Sequence, residues 1–171
     1  MQALKRTLSV LALLVAAACG IAPGISGTPP PHVDPALCGS GLFWNGGDEE
    51  SPVMHPGGDC ISCHRSGEGP RLAVAGTVMT KIDDATDCVG VPDVQLDILD
   101  PAGAVVLTLM SNDAGNFLSD QLVPASALPF TARLTHDGKT TQMSTPQTDL
   151  NCMSCHTAAG AHGAPGRIVA P

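Results

Sequence analysis

At 171 residues, with 16 Asp/Glu against 8 Lys/Arg and a formal charge of −8, the chain has room for one ordinary domain plus appendages. So acidic a surface argues against nucleic acid as a partner. Three Phe, one Trp and no Tyr endow a core poorly, and 19 Gly with 15 Pro point to loops and short strands, not long helices.

Residues 1–18 read as an export leader. Lys5 and Arg6 form a basic start, and Leu8 to Ala17 form an apolar run too short to span a bilayer. Ala16-Ala17-Ala18 before Cys19 resembles a bacterial lipobox, with Ala16 where leucine is usual. That resemblance implies a lipid on Cys19 and an exported protein held at the outer membrane or the periplasmic face by that anchor alone. An ordinary signal peptidase site, leaving a soluble periplasmic protein, is the alternative. Removing the leader leaves six Lys/Arg against 16 Asp/Glu.

Residues 19–37 follow as the anchor cysteine and a Pro/Gly-rich tether containing Pro29-Pro30-Pro31, with His32 expected in solvent. Residues 38–71 carry Cys38, the apolar Leu42-Phe43-Trp44, the acidic Asp48-Glu49-Glu50 and the run Cys60-Ile61-Ser62-Cys63-His64. Loop is expected here, with one helical turn at 60–65. Phe43 and Trp44 have two readings: cover for an exposed cofactor edge, or packing on a neighbouring sheet.

From 72 to 143 the pattern becomes one of strands. Val94, Leu96 and Ile98 alternate with Gln95 and Asp97; Val105, Leu107 and Leu109 repeat the period, as do Phe130, Ala132 and Leu134. Asp100-Pro101-Ala102-Gly103, Asn112-Asp113-Ala114-Gly115-Asn116 and Asp137-Gly138 supply the turns, the last a hairpin signal. Short strands at this spacing predict a mainly β fold, a small sandwich. Residues 144–171 hold Cys152-Met153-Ser154-Cys155-His156 and a Gly/Ala/Pro-rich tail with Arg167, expected in solvent or on a cofactor carboxylate.

The two C-x-x-C-H runs are the signature of covalent c-type haem attachment. Two thiols two residues apart can add to the two vinyl groups of one haem, and the next residue then supplies an imidazole to iron. Two covalent haems are therefore expected, on Cys60, Cys63 and His64 and on Cys152, Cys155 and His156. One zinc held by the four motif cysteines would instead leave both histidines idle. A thioredoxin-like dithiol lacks its βαβ context. With Cys19 lipidated and four cysteines in the motifs, Cys38 and Cys88 remain as a disulfide pair in an oxidising compartment. For the sixth iron position the expected ligands are Met54 at the first site and Met143 at the second, with His55 and His162 as alternatives. Met153 and His136 are set aside, the one inside its motif and the other at a turn tip.

The stretch Ala75-Gly76-Thr77-Val78, Gly90 to Leu96 and Asn112 to Phe117 resembles the carboxypeptidase regulatory-like (transthyretin-like) module, which implies a seven-strand scaffold without catalysis of its own. The motifs and lipobox together resemble small exported bacterial dihaem c-type cytochromes. That resemblance implies electron carriage between redox partner proteins, not an enzyme. Two other classes are weighed against it: a zinc-stapled binding module, and a haem enzyme or gas sensor with an open iron position.

Overall fold

In a computed structural model the described residues are 22–47, 50–67 and 69–171; the leader and Cys19 lie outside them. The chain is mainly β, as predicted. Ile25–Ser26 (β1) and Phe43–Trp44 (β2) form a small antiparallel ribbon. Val74–Met79 (β3), Gln95–Leu99 (β4), Val105–Met110 (β5), Asn116–Ser119 (β6), Thr131–His136 (β7), Lys139–Gln142 (β8) and Ile168–Val169 (β9) build two sheets. One has the order β6-β3-β9, with β9 parallel to β3; the other is an antiparallel β5-β4-β7-β8. The two helices, Cys60–Arg65 (α1) and Cys152–Cys155 (α2), are short and carry the two motifs.

The alternation read from sequence sets the sandwich. Val74, Val78 and Phe117 face Leu96, Ile98, Leu107 and Leu134 in one cluster, closed by Val94 and Phe130. Each such side chain contributes roughly 1.5–3 kcal/mol as an upper figure. On the outer face of β4, Asp97 stands opposite Thr108 and Arg133 and takes hydrogen bonds from both, at 2.8 and 2.7 Å. The Asp137-Gly138 hairpin holds both turn residues at positive φ (47° and 73°), the two-residue geometry that matches strand twist.

Two expectations are corrected. Val105 was expected inward, but a register shift between Ile98 and Leu99 pairs Leu99 with Val105 and Ile98 with Leu107; Val105 turns to solvent and Val106 packs on the core. Residues 22–37 are not a free tether: β1 pairs with β2 and Val33 is buried with Phe43 and Met79. The Gly/Ala/Pro-rich tail adds a strand, β9, beside β3.

All six residues of β3 are buried because both its faces are covered. Its outer side meets the 52–57 segment: Thr77 Oγ1 accepts from Gly57 N (2.8 Å) and donates to Asn116, whose amide donates to the carbonyls of Pro52 and Met54. Phe43 and Trp44 are packed within this layer, Phe43 with Met79 and Cys88 and Trp44 with Val53 and Ala114. Among the described residues no helix is long and apolar enough to cross a membrane.

Candidate functional site

Both motif helices rest on β3, which brings together residues far apart in sequence. Asp59 is the N-cap of α1, accepting from Ser62 N at 3.0 Å, and the same oxygen accepts from Asn151 Nδ2 at 2.8 Å. Asn151 is the corresponding residue before Cys152 and pairs through its backbone with Ala75. Burial works to raise the Asp59 carboxyl, but the hydrogen bonds from Ser62 and Asn151 hold it below the usual carboxylate range. The bridge leaves Asn151 Oδ1 as a buried oxygen without a partner, a cost of about 1–3 kcal/mol that a purely structural cap would avoid.

The two histidines are oriented alike. His64 Nδ1 lies 2.7 Å from the carbonyl of Pro70, and His156 Nδ1 lies 2.9 Å from that of Gly166. A carbonyl only accepts, so Nδ1 bears the hydrogen and the neutral ring keeps its lone pair on Nε2. This is the arrangement in which a backbone carbonyl fixes tautomer and ring direction of a metal-binding histidine. Gly69 permits it at the first site: a Cβ there would lie 2.7 Å from His64 Cε1.

Surroundings differ between the motifs. Around the first, Ser62, Cys63, Arg65, Ser66, Gly67, Gly69 and Pro70 are exposed. The second opens on a cavity of about 310 Å³ between the sheets, walled by Leu96, Phe130, Leu134, Cys152, Cys155 and His156. A smaller hollow of about 150 Å³ adjoins it and shares His156 and Met143. Burial, then Asp149, pushes the Cys152 thiol up to about 12, and burial raises Cys60 as well. At the second motif the apolar cavity, the two cysteines and an imidazole directed by its own hydrogen bond fit a covalently held haem.

The expected sixth ligands divide. Met143 lines both hollows and His162 lines the smaller one, so both second-site candidates stand beside His156. At the first site Met54 packs on the Trp44, Val53 and Ala114 cluster, and His55 Nδ1 donates to Asp87 at 3.0 Å with its ring edge-on to Trp44. His32 is exposed, as expected, and is also bonded to the other oxygen of Asp87 at 2.7 Å.

Arg167 is not solvated; it is buried and lines the cavity of the second motif. Only 6% exposed, it donates to the carbonyls of Gly57 (2.7 Å) and Asp84 (2.9 Å) and to Thr86 Oγ1 (3.1 Å), and approaches the His156 carbonyl at 3.5 Å. It fastens the segment before the first motif to the segment after the second. Asp84 is itself buried, its carboxylate taking backbone N–H bonds from Gly39, Thr80 and Lys81.

Cys38 and Cys88 are neighbours, as their pairing required, yet the structure holds them as thiols and not as a disulfide. Burial, then the contact with Cys38, raises the Cys88 thiol. The four motif cysteines do not form a zinc site: among the described residues no three His, Cys, Asp or Glu side chains converge to hold an ion. Sequence reasoning missed Asp59–Asn151 and Arg167. The first had a signal, because an Asp or Asn of N-cap type precedes each motif; Arg167 had none, since its partners are mostly backbone carbonyls. Set against family models, curated proteins and solved structures, the chain finds no match in any of the three.

Proposed function

We propose that the chain is an exported electron carrier with two covalently attached c-type haems. The observation that carries this reading is the shared orientation of His64 and His156, each with Nδ1 given to a backbone carbonyl and Nε2 left as the ligand atom. When bound, each haem supplies a one-electron couple at its iron. The protein's part is attachment and orientation. Cys60 and Cys63, and Cys152 and Cys155, each add S–H across a vinyl double bond: sulfur takes one carbon, the proton goes to the other, and no oxidant is consumed. The Asp59–Asn151 bridge and Arg167 then keep the two attachments together at one end of the sandwich.

Two rival readings have less support. Zinc needs converging thiolates, which these helices do not offer. A haem enzyme or sensor needs an open iron position, and at the second site Met143 and His162 both stand beside His156. On this reading Cys19 carries the lipid, the partners are other redox proteins, and Cys38 with Cys88 forms the disulfide of the exported chain. The test is a visible spectrum with a pyridine haemochrome count on protein made with c-haem maturation. Two covalent low-spin haems, unchanged by carbon monoxide, are expected. A carbon monoxide shift favours catalysis or sensing, and no haem with one zinc per chain overturns the reading.

A further inference from the structure

Resting on that reading, we infer that the two haem sites are inequivalent: the second is the buried, higher-potential site, and the first is the exposed port through which electrons enter and leave. The motifs are near-copies in sequence, so the difference comes from what the fold packs around them. Cys152, Cys155 and His156 border the apolar cavity between the sheets, while Cys63 and the residues that follow His64 face solvent.

Ferric haem carries one more positive charge than ferrous haem. Taking a haem out of water therefore disfavours the ferric form and raises the potential. Arg167 acts in the same direction. Its buried guanidinium lines the cavity and reaches the His156 carbonyl, and a cation held there repels the ferric charge. Asp84, buried beside the guanidinium, offsets part of that charge, and Asp149 opposes it too but is solvent-exposed and so screened. At the first site the only neighbouring charges on α1 and its cap are Asp59 and Arg65, both exposed and of opposite sign. Electron exchange with another protein falls steeply with distance, so the uncovered site is the one a partner reaches. Cys60, Cys63 and His64 would hold the haem that meets a partner, Cys152, Cys155 and His156 would hold the higher-potential one, and the pair would supply a one-electron transfer from the first site to the second. The Asp59–Asn151 contact keeps the two attachment points adjacent for it.

The experiment is a spectroscopic potentiometric titration of the full haem-loaded protein at low ionic strength, beside Arg65→Gln and Asp149→Asn. Both positions are exposed, and at 149 the amide oxygen of asparagine can still accept one of the hydrogen bonds that Asp149 takes from Asn151 N (2.9 Å) and Ser154 Oγ (3.0 Å). Two separate one-electron waves are expected. Arg65→Gln should move only the lower wave, downward, and Asp149→Asn only the upper wave, upward. Coincident waves in the wild type overturn the inequivalence. Arg65→Gln acting on the upper wave, or Asp149→Asn on the lower, overturns the assignment. These failures are distinct from that of the parent reading, in which no covalent haem is present to titrate.

Discussion

Arg167→Met tests whether the two motif segments are fastened as described. Methionine keeps most of the side-chain volume and removes the charge and every donor. The carbonyls of Gly57 and Asp84 lose bonds of 2.7 and 2.9 Å, and Thr86 loses one of 3.1 Å. Stranding a buried acceptor costs about 1–3 kcal/mol. Thr86 Oγ1 lies 3.5 Å from the Gly57 carbonyl and can rescue part of that loss. The mutant also no longer desolvates a cation, which offsets some of the rest. The net is about 3 kcal/mol of destabilisation, or a fall of about 6–12 °C in Tm for a chain of this length. Arg167→Lys should lose about half as much, since a point donor reaches one carbonyl where the planar fork reaches several. Circular dichroism melts and urea titrations of the mature chain measure both. A fall of less than about 2 °C for Arg167→Met would refute the argument, because the carbonyls would then have other donors.

Oxidation of Cys38 and Cys88 on export should lower the intact mass by two hydrogens. Closing a loop of about 50 residues should add ~4 kcal/mol on the chain-entropy estimate. A full-mass dithiol recovered after export would end that idea. Arg133→Met should cost about 2 kcal/mol at neutral pH, a figure reduced for the partial exposure of Arg133. Burial works to raise the Asp97 carboxyl, but Arg133, Thr108 and Gln95 hold it below the usual range. The wild-type contribution is therefore present above the unfolded value of about 3.9 and lost as pH falls through the lower folded value. Without Arg133 the buried carboxyl favours its protonated form, so the gap in urea midpoint between mutant and wild type should narrow below about pH 4; a gap independent of pH counts against the ion pair. Gly76→Ala should cost about 1–3 kcal/mol by overpacking, because the new methyl would meet the Phe117 ring at 2.5 Å and Cys152 Cβ at 3.0 Å. An unchanged melt would mean that α2 is free to move away from β3.

The strands were legible where one face is core and the other is water. Leu96 and Ile98 against Gln95 and Asp97 gave β4, and Asp137-Gly138 gave the β7–β8 hairpin. Val105 was misread because a bulge is a property of the pairing and leaves no mark on the alternating run itself. β9 escaped because two residues of a Gly/Pro-rich tail gain their order from an edge of β3 ninety residues away. On the proposed reading, the cysteine and histidine spacing was legible because attachment chemistry would fix it locally. The orientation of those histidines was not, since Pro70 and Gly166 act through backbone carbonyls that every residue type possesses.

The same distinction explains why the cavity sits where it does. Leu96, Phe130 and Leu134 belong to the continuous core, yet they also wall the hollow beside Cys152 and His156. The sandwich therefore does not close at the end where β8 and β9 form its edges, and the four aromatic residues of the chain are used elsewhere or already committed to that wall. A chain so poor in large apolar side chains can complete its core with a large flat apolar group. On the reading proposed, attachment at Cys152 and Cys155 is then a folding step as well as a functional one. On the same reading the first motif, lying on the outside of β3, would add a redox centre without filling the core. That division of labour follows from where each helix lands on β3, and near-identical motif sequences alone do not specify it.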